Sequence, residues 1–225
     1  VETGSSPSSH QHPRRHLRRI SAVLGTAGVM TSLLSVPAAT AAPSTRADYP
    51  CEPYLKAWAG KTVVSRWKFH IDSAGRPDRA MADSLSAGTS PRSQCETTVG
   101  GWGGGGYDGG HLIASTLKGV SKRINLVPMK ASINRGIYKK TENAANKCLS
   151  TLGKKDKLSY NVTVGYGDPK SVVPRDMTVG MTVKKGTSKK DIKLTIPNQD
   201  ITPQKETALK KQLNTGLKAA GCPTA

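Results

Sequence analysis

The sequence predicts an α+β fold in which a ββα unit packs on an antiparallel sheet and an amphipathic helix closes the chain. Three observations predict it. Two short extended stretches, 111–115 (HLIAS) and 124–129 (INLVPM), lead into a helical stretch at 132–149. Three later segments, 158–166, 176–184 and 192–196, alternate apolar with polar residues and are rich in β-branched side chains, the period-2 signature of half-buried strands. Between 203 and 220, Leu209, Leu213 and Leu217 recur at helical spacing behind Pro203, and Gly221 stops the run.

Taken from the N-terminus, residues 1–41 read as a secretory signal peptide. A positive stretch from His10 to Arg19 precedes an apolar run over 20–36 and an A-x-A site ending at Ala41. The run is short and diluted by Gly, Ser and Thr, which argues against a lasting membrane anchor. Residues 42–50 then form a leader, and 51–225 a single domain. A short helix is expected within 51–60, around Tyr54, Leu55 and Trp58. Residues 61–71 (KTVVSRWKFHI) have the composition of one strand, whereas 73–94, polar and rich in Gly, Pro and Ser, is expected to loop over the surface. The glycine-dense 100–110 either lets backbone approach a ligand closely or forms a loop that touches none, the reading preferred for 103–106. No Gly-Lys-Ser/Thr follows it, so it is not a P-loop.

In the helix at 132–149, Ser132 is the expected N-cap and Gly153 lies beyond the end. At about 100° per residue, Ile133, Ile137, Ala144 and Cys148 fall within about 60° of one another and mark a buried stripe. Asn134, Tyr138 and Glu142 drift by about 80° on the adjacent face. An amide and a carboxylate can therefore be shown together.

Lys and Arg number 34 against 15 Asp and Glu, a formal charge of +19 over 225 residues. Loss of 1–41 removes four Arg and Glu2, lowering +19 by three to +16. The excess belongs to the working protein and points to a polyanionic partner, nucleic acid foremost. Cys51, Cys95, Cys148 and Cys222 are widely spaced with no C-x-x-C, which speaks against a zinc knuckle and, in an exported chain, for two disulfides. Three pairings are possible. Cys51–Cys95 with Cys148–Cys222 is preferred, since it ties each flank to the central unit separately.

The chemistry is concentrated in Asp108-Gly-Gly-His111, Asn125-Leu-Val-Pro128 and the span from Asn134 to Glu142. Imidazole can take a proton from water near neutral pH. Carboxamide and carboxylate oxygens are hard ligands suited to Mg²⁺. A base, a hard-metal seat and a cationic surround are what hydrolysis of a phosphodiester needs.

These residues resemble the DNA/RNA non-specific endonucleases of the ββα-metal (His-Me finger) superfamily. That family's signature, D-R-G-H, continues with an Asn opening N-[IL]-x-P, a second Asn nine residues later followed by x-G, and a Glu eight residues after that. Asp108 to His111, Asn125, Asn134 with Gly136, and Glu142 keep that register over about 108–145. The following strands look like the shorter bacterial branch, in which G-G-H replaces R-G-H. The resemblance implies a ββα-metal finger core and a catalytic set of His111, Asn125, Glu142 and Asp108. In it His111 is the general base, Asn125 holds the metal–water–phosphate geometry and Asp108 supports. It implies a divalent cation, Mg²⁺ or alternatively Mn²⁺, held directly by Asn134, with Glu142 on the water around it. It also implies DNA and RNA as substrates, 5′-phosphate ends and little sequence preference. Gly109 stands where the family has an Arg that binds phosphate, and Arg92, Arg123, Arg135, Lys118 and Lys122 are candidates to replace it. A reading from another class is a catalytically silent exported protein that binds nucleic acid or an anionic wall polymer.

Overall fold

Alternation of side chains builds the sheet. In the computed structural model, which describes residues 49–225, eight strands form: β1 (Thr62–Val64), β2 (Lys68–Ile71), β3 (Pro77–Ala82), β4 (Tyr107–His111), β5 (Leu126–Lys130), β6 (Lys157–Gly165), β7 (Asp176–Lys185) and β8 (Ser188–Pro197). Six of them pair antiparallel in the order β1-β2-β3-β6-β7-β8, while β4 and β5 make a separate two-stranded ribbon. The described residues lie in one compact unit, Arg46–Ala225. The expected signal peptide at 1–41, and the leader up to residue 48, fall outside the described residues.

Along β6 to β8, every second side chain turns inward: Leu158, Tyr160, Val162 and Val164, then Met177, Val179, Met181 and Val183, then Ile192, Leu194 and Ile196. Helix α4 (Pro203–Ala219) packs against β8 with Leu209, Leu213 and Leu217 buried, each such side chain contributing roughly 1.5–3 kcal/mol. Thr202 caps it by accepting from the Lys205 amide, with Pro203 in its first turn. The ββα unit is β4, β5, then a short α2 (Ala131–Ile133), a π turn at Asn134–Tyr138 and α3 (Lys139–Leu149). Both preferred disulfides are formed. Cys51–Cys95 fastens the N-terminal segment to α1 (Cys95–Gly101), and Cys148–Cys222 fastens the end of α4 to α3.

Six expectations need correction. The single strand at 61–71 is a hairpin, β1 and β2, turned by a Ser65 amide to Trp67 carbonyl hydrogen bond of 2.9 Å. The surface loop at 73–94 contains β3, which lies inside the sheet between β2 and β6. Its inward positions are Ala80 and Ala82, too small and too weak in β-propensity to mark a strand in the sequence. The first extended piece of the ββα unit runs from Tyr107 to His111 instead of 111–115, so His111 is its last residue.

The helix at 132–149 is also kinked. Gly136 leaves helical geometry at φ −98° and ψ −115°, a departure its missing Cβ permits. Tyr138, expected beside Asn134 and Glu142, turns into the core and donates to the Leu112 carbonyl at 2.8 Å. Ser132 does not cap; its hydroxyl bonds the Asp200 carboxylate at 2.7 Å.

Candidate active site

A cleft opens where the end of β4 meets the start of α3. It is lined by Arg92, Gly109, His111, Ala114, Ser115, Asn134, Arg135, Lys139 and Glu142. A second hollow, lined by Glu96, Tyr107 and Asp108 among others, adjoins it and shares Arg92, Gly109, Asn134 and Arg135. Three of the five residues expected to form the catalytic and metal-holding set, namely His111, Asn134 and Glu142, thus face one space.

His111 is buried, and burial is the main reason its pKa falls from 6.5 to about 4. The charges of Arg92 and Lys139 lower it further, while Glu96 pulls the other way. The ring is therefore neutral at physiological pH. Its Nε2 lies 2.9 Å from the Ser121 hydroxyl, which in turn donates to Glu96 Oε1 at 2.7 Å. Neither Ser121 nor Glu96 was legible as a site residue, because both belong to segments with no motif of their own.

Asp108 stands at the second strand position of β4 and binds two neighbours at once. Its Oδ2 accepts from Asn134 Nδ2 at 3.0 Å and Arg135 Nε at 2.9 Å, and its Oδ1 accepts from an Arg135 terminal nitrogen at 2.7 Å. Burial alone would raise the Asp108 pKa, but these hydrogen bonds and the Arg135 charge outweigh it and lower the pKa. The consequence for Asn134 is directional. With its NH₂ given to Asp108, Oδ1 is the end left to accept.

Glu142 lies at the start of α3, where Lys139 Nζ reaches its carboxylate at 3.3 Å. Burial lifts its pKa to about 7, against the lowering pull of Lys139 and Arg92. A cation beside it would act in the same direction as those two. An amide oxygen with a neighbouring carboxylate is a hard donor set that fits Mg²⁺, which keeps most of its water. Among the described residues, no cluster of three or more His, Cys, Asp or Glu could hold a metal ion.

Asn125 is placed differently from expectation. It is wholly buried, its Oδ1 accepting from the Ile113 amide and its Nδ2 donating to the Ile113 and Val120 carbonyls, each at 2.9 Å. With its polar atoms committed to backbone, it cannot reach a metal or phosphate; it ties together the loop between His111 and β5. Of the five candidate cations, Arg92 and Arg135 line the cleft, with side chains 72% and 74% exposed. Arg123 does not. It is buried and donates to the carbonyls of Glu52, Pro53 and Leu126, a structural clamp that pairs its buried guanidinium with backbone oxygens. Lys118, at φ +59°, packs against Gly88, and Lys122 stands over the Tyr49 ring; neither lines the cleft. Lys139, not singled out beforehand, does.

The glycines ahead of His111 serve packing. A Cβ on Gly109 would sit 2.1 Å from the Glu96 carbonyl oxygen, and one on Gly100 would sit 2.9 Å from the Gly109 nitrogen, so α1 lies directly on β4. The backbone at 109 has no room for the family's Arg. Gly109→Ala is expected to cost roughly 1–3 kcal/mol through overpacking, several degrees in Tm, and Gly109→Arg at least as much. Thermal unfolding of the two variants checks this.

A family model for DNA/RNA non-specific endonucleases matches residues 59–185, more than half of the chain and all of the cleft. Two solved structures of NucA from Streptococcus agalactiae are similar. One, with no metal bound, is 22% identical, covers 61% of this chain and 72% of that one, and has a TM-score of 0.45. The other, with a magnesium ion bound, is 23% identical, covers 63% and 74%, and has a TM-score of 0.47. No curated protein matches the chain.

Proposed function

Because the chain belongs to the DNA/RNA non-specific endonucleases, we propose that it is an exported enzyme that hydrolyses DNA and RNA with little sequence preference, using His111 as base and a divalent cation seated at Asn134 and Glu142. The observation that carries this reading is the shared cleft. A neutral imidazole, an amide oxygen turned outward by Asp108, a buried carboxylate and three cations, Arg92, Arg135 and Lys139, face one another there.

His111 takes a proton from water, whose oxygen attacks phosphorus in line with the 3′ oxygen. The P–O3′ bond then breaks, leaving a 5′-phosphate on one fragment, while the departing 3′ oxygen takes a proton from solvent water to become the 3′-hydroxyl of the other. Mg²⁺, with Mn²⁺ as a second fitting ion, would supply charge stabilisation to the phosphate and the leaving oxygen. Arg92, Arg135 and Lys139 grip phosphates, which carry no sequence information. Export is supported by the two disulfides, which suit an oxidising compartment. Among the described residues, no helix is long and apolar enough to cross a membrane.

The test is a nicking assay on plasmid DNA and a parallel assay on RNA, each with EDTA and with Mg²⁺, Mn²⁺, Ca²⁺ or Zn²⁺ restored in turn. Cutting of both polymers that EDTA stops and Mg²⁺ or Mn²⁺ restores is the expected result. Salt-sensitive binding without any cutting would instead favour a silent polyanion-binding protein.

A further inference from the structure

The Ser121 hydroxyl has one proton, and its geometry determines where the proton on the His111 ring must be. Ser121 Oγ donates to Glu96 Oε1 at 2.7 Å. Arg92 pairs with the other oxygen of Glu96, so that carboxylate accepts at both ends. Having spent its proton, the hydroxyl can only accept from His111 Nε2, 2.9 Å away. A neutral imidazole carries one N–H, so Nε2 bears it and Nδ1 keeps the lone pair.

The chain of contacts is built rather than incidental. Glu96, Ser121 and His111 are 8%, 6% and 7% exposed, so solvent does not readily substitute for any member. Ser121 is gripped a second time, through its carbonyl, by the Ser93 hydroxyl at 2.5 Å. Glu96 is fixed by the Cys51–Cys95 disulfide at the adjoining residue and by its carbonyl packed on Gly109. The carboxylate itself stays 3.7 Å from Nε2, too far for a direct hydrogen bond, and acts through the hydroxyl.

We infer that Glu96 and Ser121 are positioning residues which lock His111 in the Nε2–H tautomer, making Nδ1 the nitrogen that takes the proton from water. The inference rests on His111 being the base. Glu96→Gln tests the lock at constant shape. Arg92 favours the amide oxygen on its own side, which turns the NH₂ toward Ser121. The hydroxyl then accepts from Gln and donates to Nε2, moving the ring proton to Nδ1. A misplaced ring proton of this kind is severe in the serine-protease triad, where an isosteric carboxylate-to-amide change leaves geometry intact but costs about 10⁴-fold in kcat.

The experiment combines imidazole ¹⁵N NMR on the full chain with kcat and KM on DNA for wild type, Glu96→Gln, Ser121→Ala and Ser121→Thr. Expected are an Nε2–H wild type, a shift toward Nδ1–H in Glu96→Gln, and a kcat lowered on the order of 10²-fold in Glu96→Gln and Ser121→Ala with KM nearly unchanged. Ser121→Thr, which keeps the hydroxyl, should recover most of that loss. An Nδ1–H wild type overturns the inference even if a variant fails to fold, as does Glu96→Gln with an unaltered tautomer or undiminished kcat. If instead His111→Ala cuts as wild type does, it is the assignment of the base that fails, and the NMR result still stands on its own.

Discussion

His111→Ala is expected to lower kcat on plasmid DNA by about 10²–10⁴-fold while leaving salt-dependent binding nearly intact. The two effects separate because the side chains that attract phosphate, Arg92, Arg135 and Lys139, project from other positions in the cleft. Binding is measured by mobility shift in EDTA and cutting by nicking in Mg²⁺. A variant that cuts as fast as wild type removes His111 from the chemistry, and one that fails to bind makes its role structural. The pH profile adds an independent check. With burial holding the His111 pKa near 4, the base remains unprotonated at pH 5.5, where an ordinary histidine near 6.5 is mostly charged. A cation in the cleft lowers that pKa further and a substrate phosphate raises it. The acid limb of kcat/KM assigned to His111 is therefore expected well below pH 6.5, and it should be missing from the residual activity of the alanine variant.

His111, Asn134 and Glu142, which line the cleft, were legible because their chemistry and their spacing coincide: a histidine, an asparagine and a glutamate in register admit few other uses. The strands β6 to β8 were legible for a similar reason, since the period-2 burial of Val, Ile, Leu and Met that sets their inward face is written in the sequence itself. What failed to show was whatever depends on packing between distant segments. β3 buries Ala80 and Ala82 because neighbouring strands close over them, and no local pattern records that. The same holds for Arg123, a candidate phosphate ligand by sequence, which is claimed instead by the carbonyls of residues 52 and 53, 71 and 70 positions away. Asn125 was found by motif but misread in role, because a buried carboxamide that ties loops and one that faces a phosphate have the same one-letter code. Ser121 and Glu96 lie 25 residues apart and meet only when α1 settles on β4.

Asn134→Ala is expected to have the other large effect, and a comparison with Asp108→Ala decides how the amide works. If Oδ1 is the protein's single direct donor to Mg²⁺, its removal costs several kcal/mol of charge stabilisation, about 10³-fold in rate at fixed Mg²⁺, with partial recovery as Mg²⁺ is raised. Asp108→Ala leaves the donor in place but frees its NH₂, so the amide can present either end to the cation. Loss of an orienting partner of this kind typically costs 10–100-fold in metal affinity or activity. The Asp108 variant should therefore lie between wild type and Asn134→Ala, and should be rescued by Mg²⁺ more completely. Arg135, released from its two-pronged contact with Asp108, no longer shares its guanidinium between a carboxylate and phosphate, so its stronger hold on phosphate partly offsets the loss on long substrates. Activity measured against Mg²⁺ concentration for both variants, on plasmid and on a short oligonucleotide, reads these terms separately. Equal defects in the two would mean that Asp108 does more than orient the amide, and an Asn134→Ala enzyme with an unchanged Mg²⁺ dependence would take the metal away from residue 134 altogether.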